Sequence, residues 1–297
     1  MSSAVYSGVF GAYTIGQITQ SDYQPNKKVK VDCYSGELDG EQFSIVQADP
    51  VITLTTADLY SLIGSVSATE GLAMTSAGTI TIPFQNRASG GTYQGSGSHH
   101  TLSATLGLLV PTEIMASQDS EDGAQAKLEI YPASTDGLTN PVAINDSITL
   151  SGQSFVASYD LGPFKIGSTL FSQIASAKVT FGLMVPRKRY NGETWSRIAG
   201  ITIVTRRPQL EVTFCSAADL KTFDHYSALN TTATAFFRKR SAGGTHVADG
   251  TGGHVSCTIT TGIQTLQSAS ASKSDDATFT RVIQGKTLSF SRTATIS

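Results

Sequence analysis

The sequence predicts a mainly β protein made of two tandem copies of a small antiparallel β-barrel or sandwich, each with one short helix and a long loop arm. Three observations carry this expectation. Charged residues are only 15 % and aromatics 8 % of the 297 residues, with 28 glycines, and Ser and Thr together make up roughly a quarter. Helix surfaces normally carry Glu, Lys, Gln and Arg, whereas Thr-rich alternation with glycine punctuation suits strands and turns. The second observation is a recurring segment. Phe84-Gln-Asn-Arg87-Ala-Ser-Gly90-Gly91-Thr92 aligns with Phe237-Arg-Lys-Arg240-Ser-Ala-Gly243-Gly244-Thr245 at an offset of 153 residues. Extended without gaps to Leu106-Gly107 against Ile259-Thr260, the window holds 24 positions and eight identities, where this composition gives roughly two by chance. Asp122-Gly-Ala124 meets Asp275-Asp-Ala277 at the same offset.

The third observation is that the flanks match in the same order. Pro50-Val-Ile-Thr-Leu-Thr-Thr-Ala57-Asp58-Leu59 resembles Pro208 to Leu220, and Ile148-Thr149-Leu150-Ser151 resembles Lys286-Thr287-Leu288-Ser289. Lys30-Val31 is matched with Lys178-Val179. The copies are therefore expected at residues 1–155 and 156–297, joined by a linker over Ala157 to Pro163.

Each copy then has the same elements in order. A first strand or hairpin (Val29 to Tyr34; Ala177 to Val185) leads through a turn to a strand opened by proline (Val51 to Thr56; Leu210 to Phe214). A short helix follows, Ala57 to Gly64 and Ala217 to Tyr226, with Thr56 or Ser216 as N-cap and Asp in the first turn. Next come a strand (Thr79 to Phe84; Thr232 to Phe237), a glycine-rich loop (Ala88 to Ser98; Ser241 to Gly253) and a returning strand (Leu102 to Leu109; Val255 to Thr261). A final strand (Ser147 to Ser154; Lys286 to Thr295) closes the unit.

Candidate sites are few. His99-His100 ends the loop Gly95-Ser96-Gly97-Ser98, with Gly252-Gly253 opposite it in the second copy, and no Cys or carboxylate stands at ligand spacing; it reads as a solvated loop pair. Asp119, Glu121 and Asp122 lack the calcium-loop pattern and read as a turn, while Glu113 has no reason for a raised pKa. The glycine-rich loops do not match GxxxxGK[ST] and stand between strands, so they read as hairpin arms reaching a neighbour rather than phosphate loops. No GxSxG, HExxH or Ser/His/Asp signature is present. No catalytic residue, metal ligand or cofactor-binding residue is expected, and no cofactor. Cys33, Cys215 and Cys257 are odd in number and far apart, which suggests buried free thiols. The chain has no apolar run of transmembrane length and no basic-then-apolar leader at Met1 to Tyr6, so the expectation is an unprocessed protein made in the cytoplasm.

The charge is unevenly divided. Residues 1–155 hold 5 Lys and Arg against 15 Asp and Glu, whereas residues 156–297 hold 16 against 8. The runs Arg187-Lys188-Arg189 and Arg238-Lys239-Arg240 lie in the basic copy without interleaved aromatic platforms, and the acidic copy would repel a polyanion. An acidic unit set beside a basic unit in a self-assembled ring is the preferred explanation.

Small β-units, a flanking helix, long arms, a tandem duplication and an unprocessed N-terminus together resemble siphophage tail-tube proteins of the tandem-domain kind. The resemblance is architectural and spans the chain without a diagnostic motif. It implies homotrimeric rings with pseudo-sixfold symmetry, stacked into a tube with other tail proteins at its ends. DNA would pass through the lumen without sequence-specific binding, in a virion, with no enzymatic activity and no membrane. Distal-tail and hub proteins share the barrel. Competing classes are a tandem β-sandwich carbohydrate-binding or adhesion module, whose sugar platforms would have to include the single Trp195, and a polysaccharide-cleaving enzyme, for which no acid pair is found.

Overall fold

The computed structural model describes residues 3–5, 7–32, 42–75, 80–90, 92, 94–95, 97–150, 157–215, 226–229, 231–241, 243–270 and 277–297. It is mainly β, with antiparallel sheets. The first half carries β1 (Ser3–Val5), β2 (Gly8–Phe10), β3 (Tyr13–Ile15), β4 (Ile18–Gln24), β5 (Lys27–Asp32), β6 (Gln42–Ala48) and β7 (Val51–Thr56). Helix α1 (Leu59–Ser65) follows, then β8 (Leu72–Met74), β9 (Ile80–Asn86), β10 (His99–Ala104), β11 (Leu106–Ser117), β12 (Gln125–Ala133) and β13 (Val142–Ile148). The second half carries β14 (Tyr159–Ile166), β15 (Thr169–Phe171), β16 (Ile174–Thr180), β17 (Leu183–Met184), β18 (Thr205–Arg206) and β19 (Gln209–Phe214). It ends with β20 (Tyr226–Leu229), β21 (Ala233–Lys239), β22 (His254–Ile259), β23 (Gly262–Ser270), β24 (Thr278–Gly285) and β25 (Leu288–Ala294).

Pairings run in one order in both halves. In the first, β2, β9, β10 and β13 form one ladder, and β4, β7, β12, β11 and β8 another. In the second, β14, β21, β22 and β25 form the first, and β16, β19, β24, β23 and β20 the other. The bulges agree as well. One breaks the register between Ile18 and Gln20 against β7, and between Ile174 and Ser176 against β19. A second lies between Pro111 and Glu113 against β12, and between Leu266 and Ser268 against β24. The halves meet where β11 pairs with β16, which fuses two ladders into one ten-stranded sheet.

Alternation explains how the sheets pack. Along β7 and β19 every second residue is buried, Ile52, Leu54 and Thr56 in one and Leu210, Val212 and Phe214 in the other. Those faces meet the smaller sheets, so one hydrophobic cluster spans both halves. In the second half it contains an aromatic group in which Phe214 stacks on Phe279 at 4.8 Å and takes Phe164 and Phe171 edge-on at 6.0 and 5.7 Å. Edge-on and offset contacts of this kind follow the ring quadrupole.

Several boundaries differ from expectation. Residues 159–163 belong to β14, not to a linker: Tyr159 and Phe164 are buried in the shared core, so the chain enters the second half already inside a sheet. The N-cap of α1 is Asp58, whose Oδ1 accepts from Ser61 N at 3.0 Å, while Thr56 is drawn away, its hydroxyl donating to the Gly16 carbonyl at 2.7 Å. The helix expected at 217–226 lies outside the described residues except Tyr226, which is in β20. The returning strand expected at Leu102 to Leu109 divides in two, β10 in the smaller sheet and β11 in the large one, whereas the one expected at Val255 to Thr261 is β22 alone, with β23 following from Gly262. Of the final strand expected at 147–154, residues 147 and 148 end β13 (Val142–Ile148), 149 and 150 are in no strand, and 151–154 lie outside the described residues. The expected partner of Lys178-Val179 is also revised. Among the described residues β5 pairs only with β6, in a separate hairpin, and the strand standing where β16 stands is β4, which puts Asp22 opposite Thr53 as Lys178 is opposite Glu211.

Candidate assembly surface

The outer face of the large sheet is polar because the residues between its buried positions are Thr, Gln and charged side chains. Gln20, Asp22, Gln24, Thr53, Thr55, Glu113, Gln125 and Lys127 line a trough of about 370 Å³. A second depression of about 270 Å³ crosses the joint between halves, bordered by Met115, Ser117, Ser176, Lys178 and Glu211. Lys178 Nζ lies 2.9 Å from Glu113 Oε2 across this joint, and that bond holds the amine above its ordinary pKa.

Beneath the joint, Ile114 and Val179 stand opposite each other at 0 % exposure. Above it, residues 183–206 of the second half reach over the first. Ile201, with Leu183, Val185, Ile198 and Ile203 beside it, packs on Leu106, Leu108, Val110 and Ala133 in a second hydrophobic cluster. Trp195, 6 % exposed, bridges to Ala48, whose amide donates to the Thr194 carbonyl at 2.9 Å.

This arm is fixed electrostatically at Asp49. Arg189 bonds one carboxylate oxygen, and Arg187 Nη1 stands 3.6 Å from the other. Arg187 Nη2 donates to the Pro50 carbonyl at 2.6 Å, and its guanidinium lies 4.8 Å over the Tyr131 ring, a cation–π geometry. Burial pushes the Asp49 carboxyl up, but the bonds from Gln47 and Arg189 and the charges of Arg187 and Arg189 outweigh it and hold the group below its ordinary value. Burial pulls the Arg187 guanidinium down, with Asp49 opposing.

The residues singled out in the sequence are placed as follows. His99 is in strand β10 and buried at 3 %, not on a solvated loop; its Nδ1 accepts from Asn86 N at 3.2 Å. His254 does the same for Lys239 N at 3.1 Å and is fully buried. His99 therefore corresponds to His254 rather than to Gly252, because the second glycine-rich loop is two residues longer: Phe84 pairs with His100 but Phe237 with Val255. His100 faces Asp146 at 2.6 Å. Asp119, Glu121 and Asp122 are exposed on the β11–β12 turn. Arg238 grips Asp249 through two bonds of 2.9 and 2.6 Å, and Arg240 shares Asp160 with His246. The glycine-rich loops begin by closing on themselves, Ala88 N to Thr92 O and Ser241 N to Thr245 O, both at 2.8 Å. Cys257 is fully buried, Cys215 half-buried, and Cys33 lies outside the described residues.

Among the described residues, no group of three His, Cys, Asp or Glu could hold a metal ion. No described helix is long and apolar enough to cross a membrane. The Asp49 site and the β11–β16 joint had no sequence signal, since both depend on residues more than a hundred apart or on strands that share no motif. β12 was legible in principle from the alternation of Ala126, Leu128 and Ile130. No family model matches the chain, and no curated protein matches it.

Proposed function

We propose that the two halves are copies of one β-unit and that the chain is a phage tail-tube subunit, three of which close into a ring of six units. Stacked rings would form the conduit for DNA between other tail proteins in the virion. The observation that carries this is the β11–β16 joint: edge strands of the two halves merge into one sheet, and among the described residues the merged sheet has further unpaired edges at its ends. An open edge is a template for strand addition, and a closed ring leaves none.

The polar face suits a conduit. Its trough residues mix Asp22 and Glu113 with Lys127, and Glu211 stands beside Lys178. A surface without a basic stripe does not release counterions from a polyanion and so does not retain it. The Arg187–Asp49–Arg189 site supports the charge argument, because it joins the basic half to the acidic half within the chain. Trp195, the single tryptophan, is 6 % exposed, which leaves a sugar-binding reading without that platform.

The test is cryo-electron microscopy of the concentrated protein. Threefold rings with two distinguishable units per chain are expected. Sixfold rings of whole chains, or a monomer at high concentration, would overturn the reading.

A further inference from the structure

The joint inside the chain has two sides, and each side recurs at an open end of the large sheet. β11 offers its second portion to β16: Glu113 stands opposite Thr180, Ile114 opposite Val179 and Met115 opposite Lys178. The first portion of β11 is taken by β8, just as Gly262 to Thr265 of β23 are taken by β20. That leaves Ser268, Ala269 and Ser270 with β24 on one side and, among the described residues, no strand on the other. At the far end β4 has β7 on one side and, among the described residues, no strand on the other.

The matched bulges align these strands without reference to residue type. Glu113 follows the bulge of β11 and Ser268 the bulge of β23, so Ile114 corresponds to Ala269 and Met115 to Ser270. Ser176 follows the bulge of β16 and Gln20 that of β4, so Lys178, Val179 and Thr180 correspond to Asp22, Tyr23 and Gln24. We propose that the β4 edge of one chain pairs antiparallel with the β23 edge of a second copy in this one register. Ser268 then stands opposite Gln24, Ala269 opposite Tyr23 and Ser270 opposite Asp22.

Exposure fits a missing neighbour. Ile114 and Val179 are fully buried where the joint is made, whereas Ala269 is exposed and Tyr23 half-buried where it is not. Leu108, 5 % exposed, sits under the arm 183–206, while Ile263, at the matching place on β23, is 59 % exposed. The hairpin β5–β6, which leaves β4 as the arm 183–206 leaves β16, exposes Val29, Val31, Phe43 and Ile45. In the paired state this hairpin lies toward Ile263 of the second copy and buries both apolar sets, the main drive for association. No like charges meet across this register, since Asp22 faces serine and Gln24 faces serine.

The inference rests on the assembly reading only in taking a second copy of this chain as the partner. The test is disulfide trapping in the full chain. Opposed residues of an antiparallel pair have Cα atoms about 4.5–5.5 Å apart, within disulfide range. Met115→Cys with Lys178→Cys is the reference and closes within one chain. Asp22→Cys with Ser270→Cys should give covalent dimers and trimers on a non-reducing gel, lost on reduction and absent from either single variant. Multimers formed more readily by Asp22→Cys with Ser268→Cys would overturn the register. If the reference closes and rings are seen but Asp22→Cys/Ser270→Cys stays monomeric, the junction is wrong and the ring reading stands. If the protein does not self-associate at all, both fall.

Discussion

Gly107 and Gly262 occupy matching ladder positions, opposite Pro132 and Gly285, and neither leaves room for a side chain. A Cβ on Gly107 would lie 2.8 Å from the Tyr131 carbonyl oxygen, and one on Gly262 would lie 2.1 Å from that of Gln284. Backbone cannot retreat as the end of a long side chain can. Gly262→Ala is therefore expected to destabilise the fold by about 1–3 kcal/mol, the usual range for overpacking, read as a lower urea midpoint; an unchanged midpoint would contradict the close approach. The buried His99 imidazole satisfies the Asn86 amide, so His99→Ala leaves a buried donor without its acceptor and should cost about 1–3 kcal/mol. Burial pushes the Cys257 thiol up to about 12. A thiol reagent at neutral pH should leave Cys257 unmodified in the native protein and modify it only after unfolding, because the thiolate is the reactive form.

At the scale of elements, α1 and the arm 183–206 are held by opposite means. The helix is short and depends on its cap and its buried face: Asp58 caps it and also accepts from Gly16 N at 2.9 Å, while Leu59, Leu62 and Ile63 are buried. The arm has almost no regular structure and depends on Asp49 and the cluster around Ile201. Asp49→Asn should weaken its docking by about 1–3 kcal/mol, since the bonds lost are charge-assisted but partly exposed. Trp195 reports this directly: a red shift of its fluorescence with the far-ultraviolet dichroism unchanged is expected. Acid should act the same way. The Asp49 carboxyl is held below its ordinary value in the folded protein, so its contribution is present above about pH 4 and is lost as pH falls through the lower folded value. A Trp195 signal that moved only on raising the pH would contradict the assignment.

Over the whole molecule, charge and sheet edges point the same way. The first half carries 5 basic and 15 acidic residues and the second 16 and 8, and the acidic half already meets the basic half at Asp49. Between units of the proposed ring, partly exposed charge contacts would be worth about 0–1 kcal/mol each. They would set order and register more than affinity, which in the proposed ring would come from apolar cover and strand pairing. Raising salt from 0.1 to 1 M shortens the Debye length from about 10 to about 3 Å. Light scattering should therefore show the assemblies loosening with salt while circular dichroism of the β-units is unchanged. Salt-independent assembly would remove the electrostatic part of the proposal.

The sequence by itself determined the β class, the strands with strict alternation such as Val51 to Thr56 and Leu210 to Phe214, and the match of Phe84 to Thr92 with Phe237 to Thr245. These depend on local spacing: two residues per side-chain repeat, and glycine where the chain turns. The sequence also placed Asp58 in the first turn of α1, although the cap was assigned to Thr56. Only the tertiary structure decided the rest. His99 became a buried acceptor because β10 begins at His99 and its pairing with β9 sets the imidazole against the Asn86 amide, a long-range placement that the glycine-rich flank does not signal. Asp22 took the place of Lys30 as the counterpart of Lys178 because strand order is set by which edges meet, not by which residues look alike. Residues 159–163 became a core strand because the halves share one hydrophobic cluster, and burial is a property of the packed whole rather than of any segment.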